Sequence, residues 1–242
     1  MSRLRADRLL VERGLFASRA KAQAAIAAGL VTADGKPVAK ASDELATDAV
    51  LNAQPEHPYV SRGGVKLAAA LDHFGFSPKG CICLDVGAST GGFTEVLLER
   101  GARRVYAIDV GRGQLHPSLR DHPAVTSREA TDIRTVSPAL FADPPSFVTV
   151  DVSFISLMLV LPPALALAGT PATLVALIKP QFEAGREHIK KGIVRDSQVH
   201  QDVCARIADL VAGLGWIVAG LIPSPIEGGD GNREFLLGAR RD

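Results

Sequence analysis

Residues 81–100 read C-I-C-L-D-V-G-A-S-T-G-G-F-T-E-V-L-L-E-R, an apolar run that ends in a carboxylate, then glycines, then a helical pattern. Cys81 to Val86 reads as a short buried strand, Gly87 to Gly92 as a tight turn, and Phe93 to Arg100 as a helix with Phe93, Val96 and Leu97 on one face. That is the first strand, turn and helix of a nucleotide-binding α/β fold. Glycine lets backbone approach a ligand closely, and the helix N-terminus behind it presents unpaired N–H groups to polar ligand atoms. A cofactor site built from Asp85, Gly87, Ser89, Gly91, Gly92 and Phe93 is the natural use.

Working outward, the spacing Gly87, Ser89, Gly91, Gly92 departs from the G-x-G-x-x-G of nicotinamide enzymes. Asp85 stands two residues before the first glycine, where it could accept hydrogen bonds from a cationic amine. Asp109 follows a second apolar strand, Val105 to Ile108, where it could hold two ribose hydroxyls. An ordinary α/β turn with two solvated carboxylates carries the same local pattern. Together these residues resemble the class I methyltransferases, whose cofactor is S-adenosylmethionine. That resemblance implies a Rossmann-like α/β domain with a mostly parallel seven-stranded sheet. It adds Val110 and Asp151 to the cofactor set and places Asp132, in A-T-D-I-R, at the adenine amino group.

The 242 residues are 47% hydrophobic, with 27 Lys+Arg against 26 Asp+Glu, which fits a soluble globular protein of one or two domains. The start, M-S-R-L-R-A-D-R, has no apolar h-region, so no secretory signal is expected. Three cysteines fit a reducing compartment and a cytoplasmic location, and Cys81, Cys83 and Cys204 read as core residues. The six histidines are scattered without ligand spacing, and no metal is expected. Val152 to Ile178 carries no formal charge and exceeds the roughly twenty residues of a spanning helix. Pro162-Pro163 and Gly169-Thr170-Pro171 interrupt it, so it reads as a buried helix around Leu157 to Leu167, a turn, and a buried strand Ala172 to Ile178. No stable membrane partner is expected.

Residues 1 to about 52 form a separate α+β module. Leu4, Leu9 and Leu10 are assigned to one short helix, and Ser18 caps a second, Arg19 to Ala28, which Gly29 ends. A hairpin follows through Leu30-Val31, a turn at Asp34-Gly35, and Val38. Residues 1–40 hold eight Lys/Arg against three acids, a local surplus that is the electrostatic footprint of phosphate binding. The run from R-A-D-R-L-L-V-E-R-G-L-F-A-S-R-A-K-A-Q to G-L-V-T-A-D-G-K-P-V resembles the S-four RNA-binding domain. The resemblance implies that Arg5, Arg8, Ser18, Arg19, Lys21 and Gln23 face structured RNA. Asn52 to Tyr59 reads as a short, stiff linker, with the linker boundaries drawn at 53–60 and the second domain at 61–242.

The second domain opens with S-R-G-G-V-K-L, a helix from Ser61–Gly64 to about Phe74 whose apolar face is Val65, Leu67, Leu71 and Phe74, with Lys66 on its other side. Further strands are expected at Val125 to Ser127, at Phe147 to Val152 carrying Asp151, and at Ala172 to Ile178 delivering Lys179. A helix Ser197 to Leu214, a strand Trp216 to Ile222, the turn Gly228 to Asn232 and a strand Glu234 to Gly238 complete the chain. The fold would gather Lys66, Asp151, Lys179 and Glu234 on one rim of the sheet. By spacing alone, four solvated strand-end charges fit equally well.

Their contexts, S-R-G-G-V-K, V-D-V-S-F, L-I-K-P-Q-F-E and N-R-E-F, resemble the tetrad of the FtsJ-like ribose 2'-O-methyltransferases. With the N-terminal module, nearly the whole chain resembles the TlyA family of ribosomal RNA methyltransferases. The resemblance implies methyl transfer to a ribose 2'-hydroxyl of ribosomal RNA or a ribosomal subunit, with cytidine the expected nucleoside. It makes Lys179 the base and has Lys66 steer the hydroxyl and substrate phosphate. Two other readings remain. Gly87-Ala88-Ser89-Thr90-Gly91 matches the G-x-S-x-G nucleophile elbow of α/β-hydrolases, although here the elbow strand opens its domain. Members of the family have also been described as haemolysins, which leaves a membrane-active or purely RNA-binding protein as the rival class.

Overall fold

A computed structural model describes residues 2–16, 18–55, 57–228 and 231–242. The chain divides into two compact units, Met1–Pro58 and Tyr59–Asp242. In the first, β1 (Arg3–Arg5) runs directly into α1 (Ala6–Glu12), and α2 (Arg19–Ala27) begins at Ser18, whose side chain accepts the Lys21 N–H. Four short strands follow: β2 (Val31–Ala33), β3 (Lys36–Pro37), β4 (Glu44–Ala46) and β5 (Leu51–Ala53). β1 pairs antiparallel with β4, and β2 pairs antiparallel with both β3 and β5. Asp34 and Gly35 take φ of 50° and 75°, the left-handed pair that a two-residue hairpin turn requires. Leu10, Ile26, Val31 and Val38 pack with alanines of both helices into a small core.

Two features of this unit differ from the sequence reading. Leu4 lies in β1 and not in a helix with Leu9 and Leu10, and β4 and β5 are additions to the expected hairpin. Strands of three residues are too short to show a period of two against a background of alanine and polar residues. Ala17 of the S-four pattern and Glu56 of the linker lie outside the described residues.

The second unit begins with α3 (Gly63–Phe74), which Gly75 ends at φ 64°. It continues through β6 (Ile82–Val86), α4 (Gly92–Glu99), β7 (Arg104–Ile108), α5 (Pro117–Arg120), β8 (Val125–Arg128) and β9 (Phe147–Val150). Then come α6 (Leu157–Ala166), β10 (Ala172–Ile178), α7 (Pro180–Glu183), α8 (Ser197–Gly213), β11 (Ile217–Pro223) and β12 (Phe235–Arg241). The seven strands form one sheet in the order β11-β12-β10-β9-β6-β7-β8. β12 runs antiparallel to both its neighbours, and the pairs β10–β9, β9–β6, β6–β7 and β7–β8 are parallel. All five residues of β6 are buried, as a central parallel strand covered on both faces must be.

Alternate side chains of the sheet meet different helices. Leu84, Val86, Val148, Val150, Leu174 and Ala176 pack with Leu161 and Leu165 of α6 and with Val203 and Ile207 of α8. Cys83, Phe147, Val175 and Leu177 pack with Leu67 and Leu71 of α3 and with Phe93 and Leu97 of α4. The uncharged stretch is spent in this interior as α6 and β10, and α6 continues through Pro162 and Pro163. No helix of the described residues is long and apolar enough to cross a membrane. Cys83 and Cys204 are buried and Cys81 is only half-buried, one residue ahead of β6. Burial pushes the Cys204 thiol up to about 11, and that of Cys83 higher still.

Candidate functional site

At the carboxyl end of the sheet the chain turns to opposite sides after β6 and β9, and α/β folds bind ligands in the crevice this leaves. β9 delivers Asp151, whose N–H donates to the Val86 carbonyl at 2.9 Å, so the ends of the two central strands are tied together. Gly87 follows β6 at φ 84°, and a Cβ there would lie 2.2 Å from the Asp151 carbonyl oxygen. At Gly92 a Cβ would meet Ser61 Oγ at 2.2 Å and the Gly64 nitrogen at 2.8 Å. By sequence these glycines suggest close approach of a ligand. The atoms that approach them are the protein's own, and glycine is required so that the loop after β6 can seat against β9 and α3.

By sequence Asp85 is placed to receive a cationic amine, but its side chain is fully buried beneath the loop and does not line the cavity. Thr94 Oγ1 donates to one carboxylate oxygen at 2.6 Å and Thr149 Oγ1 to the other at 2.9 Å. Burial raises its pKa to about 6, against the lowering effect of the two hydroxyls. A strand-end acid looks the same in sequence whether it points into a crevice or under it. Here it braces β6 against α4 and β9.

Asp109, after β7, accepts the Ser89 N–H at 2.7 Å and the Gly111 N–H at 2.6 Å. Each carboxylate oxygen has a second lone pair, so Asp109 can shape the loop and still accept from hydroxyl groups. Glu129, which no sequence motif singles out, gathers the N–H groups of Gly113, Gln114 and Leu115 and thereby fixes the loop that carries Val110 and Gly111. Those three backbone bonds hold its pKa below the usual carboxylate range. Asp132 caps a 3-10 turn and pairs with Arg134, whose guanidinium lowers its pKa.

Asp109, Val110 and Asp132 face a cavity of about 580 Å³, together with Gly87, Ser89, Asp151, Ile133 and Ile155. Its lining joins the carboxylates Asp109, Asp132 and Asp151 to the apolar Val110, Ile133, Ile155 and Phe154, a mixture of acceptors and apolar surface suited to a ligand with a flat ring and polar hydroxyls. Phe93 and Gly92 instead border a neighbouring cavity of about 270 Å³ shared with Lys66, Asp151 and Lys179. Gly91 lines neither, and its missing Cβ is where Leu119 and Leu115 pack.

The four residues of the proposed tetrad come together. Lys66, in the first turns of α3, is buried and not on a free face, and its Nζ donates to Glu234 Oε2 at 2.5 Å. Lys179, at the end of β10, pairs with Asp151 Oδ1 at 2.6 Å and donates to Ser153 Oγ at 2.9 Å. The contact with Asp151 is an ion pair whose angles fall outside hydrogen-bond geometry, since Asp151 Oδ1 has no hydrogen-bond partner among the described residues. Both lysines line the 270 Å³ cavity and another of about 390 Å³ that opens past Phe154, Phe182 and Glu234. Glu234 immediately precedes β12, and Gly229 and Asp230 of the turn expected at Gly228 to Asn232 lie outside the described residues. Ser89 has no histidine beside it among the described residues lining either cavity it borders, so no hydrolase triad forms there. Among the described residues no cluster of three metal-ligating side chains occurs.

In the first unit the six RNA-facing candidates are all exposed, and three of them share an anchor that the sequence does not reveal. The buried Asp7 accepts from Arg5 at 3.1 Å, from Arg19 at 2.8 Å and from Gln23 at 2.7 Å. Arg5 first, then Arg19 and Gln23, hold the Asp7 carboxyl well below the usual range despite its burial. Arg8 pairs with Glu12 one turn on, Ser18 caps α2, and Lys21 is exposed in its first turn.

Comparison with known proteins covers both units. The family described as FtsJ-like methyltransferase matches residues 59–241, and the S4 domain matches residues 4–51. The 16S/23S rRNA (cytidine-2'-O)-methyltransferase TlyA of Mycobacterium tuberculosis is 44% identical over 243 aligned residues, covering 98% of this chain and 90% of that protein. Hemolysin A of Brachyspira hyodysenteriae is 38% identical, covering 96% of this chain and 98% of the relative. A solved structure from Streptococcus thermophilus, described as a candidate hemolysin, superposes with a TM-score of 0.78 at 43% identity, covering all of this chain and 89% of that one.

Proposed function

The chain belongs to the TlyA family of FtsJ-like methyltransferases with an N-terminal S4 domain, and from that premise we propose that it methylates a ribose 2'-hydroxyl of ribosomal RNA, at cytidine, using S-adenosylmethionine. The observation that carries the reading is the pair of lysines, each held by a carboxylate, lining a 270 Å³ cavity that shares Asp151 and Ser153 with the 580 Å³ one. When bound, S-adenosylmethionine supplies an electrophilic methyl group whose bond to sulfur breaks, with its electron pair leaving on sulfur, as the ribose oxygen bonds to carbon. Asp109 and Asp132 would hold its hydroxyl and amino groups, and Val110, Ile133 and Ile155 its apolar ring.

The protein's own task is to align a poor nucleophile for in-line attack and to remove its proton. Lys179 takes that proton onto Nζ, with Asp151 as its electrostatic tether. Lys66, fixed by Glu234, orients the hydroxyl and the adjacent phosphate. The S4 unit supplies affinity for folded RNA through the Arg5, Arg19 and Gln23 array. Soluble ribosomal RNA and ribosomal subunits in the cytoplasm are the expected partners.

The test is labelled methyl transfer to ribosomal subunits that lack the modification. Lys179→Ala is expected to abolish incorporation while binding S-adenosylmethionine as tightly as the wild type. A fully active variant would remove the base assignment, and label released by mild alkali or found on a base would remove the ribose.

A further inference from the structure

We propose that Ser153 is a positioning residue for methyl transfer, aiming the Lys179 amine at the substrate hydroxyl; this rests on the activity proposed above. Among the described residues, Ser153 Oγ accepts the one aligned hydrogen bond from Lys179 Nζ, at 2.9 Å, whereas Asp151 holds the same nitrogen through charge at 2.6 Å without hydrogen-bond alignment. A neutral amine has two N–H bonds and one lone pair at tetrahedral angles. With one N–H fixed on Ser153, rotation about the Cε–Nζ bond is arrested and the lone pair is confined to one of the two remaining tetrahedral positions. Asp151 alone sets a distance but no torsion, because a misaligned ion pair has little directional preference.

The placement of Ser153 fits such a task. It borders the 580 Å³ cavity and both cavities that Lys66 and Lys179 share, so on the proposed activity it stands where the methyl donor and the acceptor meet. Its loop is held at both ends. At one end Asp151 seats against the bare Cα of Gly87 and donates to Val86. At the other, Glu183 accepts from Ser156 Oγ at 2.6 Å and from the Leu157 N–H at 2.7 Å. Glu183 sits in α7, the short helix that Lys179 begins, so the segment that presents the amine also clamps the loop that presents the hydroxyl. Between the clamps Phe154 takes φ 63°, a left-handed conformation that costs a bulky residue free energy and persists only where its surroundings impose it.

In the transfer step the ribose oxygen forms its bond to the methyl carbon as the donor's carbon–sulfur bond breaks and its electron pair leaves on sulfur, and the hydroxyl proton passes to Lys179 Nζ, which becomes an ammonium. Ser153 then accepts from that ammonium as it did from the amine, and it neither gains nor loses a proton.

The test compares Ser153→Ala and Ser153→Thr with the wild type in the intact protein, using labelled S-adenosylmethionine and unmodified ribosomal subunits. Loss of angular control over a general base is expected to lower kcat of Ser153→Ala by about 10- to 100-fold. KM for the subunits and Kd for the cofactor are expected to stay within about two-fold, since no charge is removed. Threonine keeps the hydroxyl and is expected to recover kcat to within a few-fold. Wild-type kcat in Ser153→Ala overturns the proposal, as does a loss confined to KM or cofactor Kd, or a threonine variant as slow as alanine. Should the wild type itself transfer no label, the activity reading fails and this proposal with it, whereas an active wild type matched by Ser153→Ala sinks the proposal alone.

Discussion

Lys66 and Glu234 retain 10% and 2% of their side-chain exposure, so each compensates the other's buried charge at close range. Removing one partner of such a pair strands the other and costs about 3–5 kcal/mol, whereas replacing both with apolar groups is often neutral. Lys66→Met is therefore expected to destabilise the protein by that order, measured by denaturant unfolding, and Lys66→Met with Glu234→Leu to recover most of it. Neither variant is expected to transfer methyl groups, which separates the chemical role from the structural one. Asp85 gives a second expectation. Its folded pKa, near 6, lies above the ordinary carboxylate value of 3.8, so the folded state holds the proton more tightly than the unfolded chain. Stability should therefore fall as pH rises from about 4 through 6, by up to about 3 kcal/mol at 1.36 kcal/mol per unit, and level off above. Asp7 acts in the opposite sense, its contribution being lost only as pH drops through and below the ordinary range, so the two windows do not overlap. A denaturant midpoint flat between pH 4 and 7 would contradict the burial of Asp85, and Asp85→Asn should reduce the slope to what the buried Glu183, also raised by burial, contributes in the same sense. At this scale the motifs make the tetrad legible, because each member lies at the end of a strand or the start of a helix within a distinctive run. The true neighbours of Asp85, Asp7 and Lys179 are not legible, since Thr149, Gln23 and Ser153 reach them across 64, 16 and 26 residues.

Between elements, the close approach of α3 and α4 decides where Lys66 stands. The first residue of α4, Gly92, lies against Ser61 and Gly64 at the start of α3, and its missing Cβ is the space those atoms occupy. Helix propensity alone would make Gly92→Ala stabilising by about 1 kcal/mol. The packing argues the reverse, because an extra methyl in a filled site costs about 1–3 kcal/mol and here would push α3 away from the sheet. Gly92→Ala is thus expected to lower the melting temperature and kcat together while leaving cofactor Kd nearly unchanged; a stabilised, active variant would show the packing to be loose. Strands β6, β7 and β10 are readable from sequence within a residue or so, as apolar runs bounded by glycine, proline or charge. The helix expected around Leu157 to Leu167 is α6, and it runs through Pro162 and Pro163 because Leu157, Val160, Leu161, Ala164 and Leu165 bury enough apolar surface to offset the missing backbone bonds.

On the activity proposed above, affinity and chemistry fall to different units of the molecule. The chain is nearly neutral and so is the S4 match, where residues 4–51 hold seven Lys/Arg against six acids; the cationic surplus is local to residues 1–40, eight against three, and the tetrad lies in the other unit. Asp7 organises that surplus: Arg5 and Arg19 remain 48% and 56% exposed while sharing one buried carboxylate. Such an arrangement fixes the guanidiniums without consuming all their donors, and Arg has five N–H groups to divide between an internal anchor and phosphate oxygens. Arg5→Ala with Arg19→Ala should therefore weaken binding to ribosomal subunits and flatten the dependence of log affinity on log salt, by about one for each phosphate no longer neutralised. Asp7→Asn should weaken binding too, because its arginines, though still charged, lose their common anchor. In both variants kcat at saturating subunits is expected to match the wild type, whereas Lys179→Ala should keep the wild-type affinity and salt slope. An arginine double variant that retains its salt slope but loses kcat would assign the S4 unit to the chemical step and overturn the division of labour.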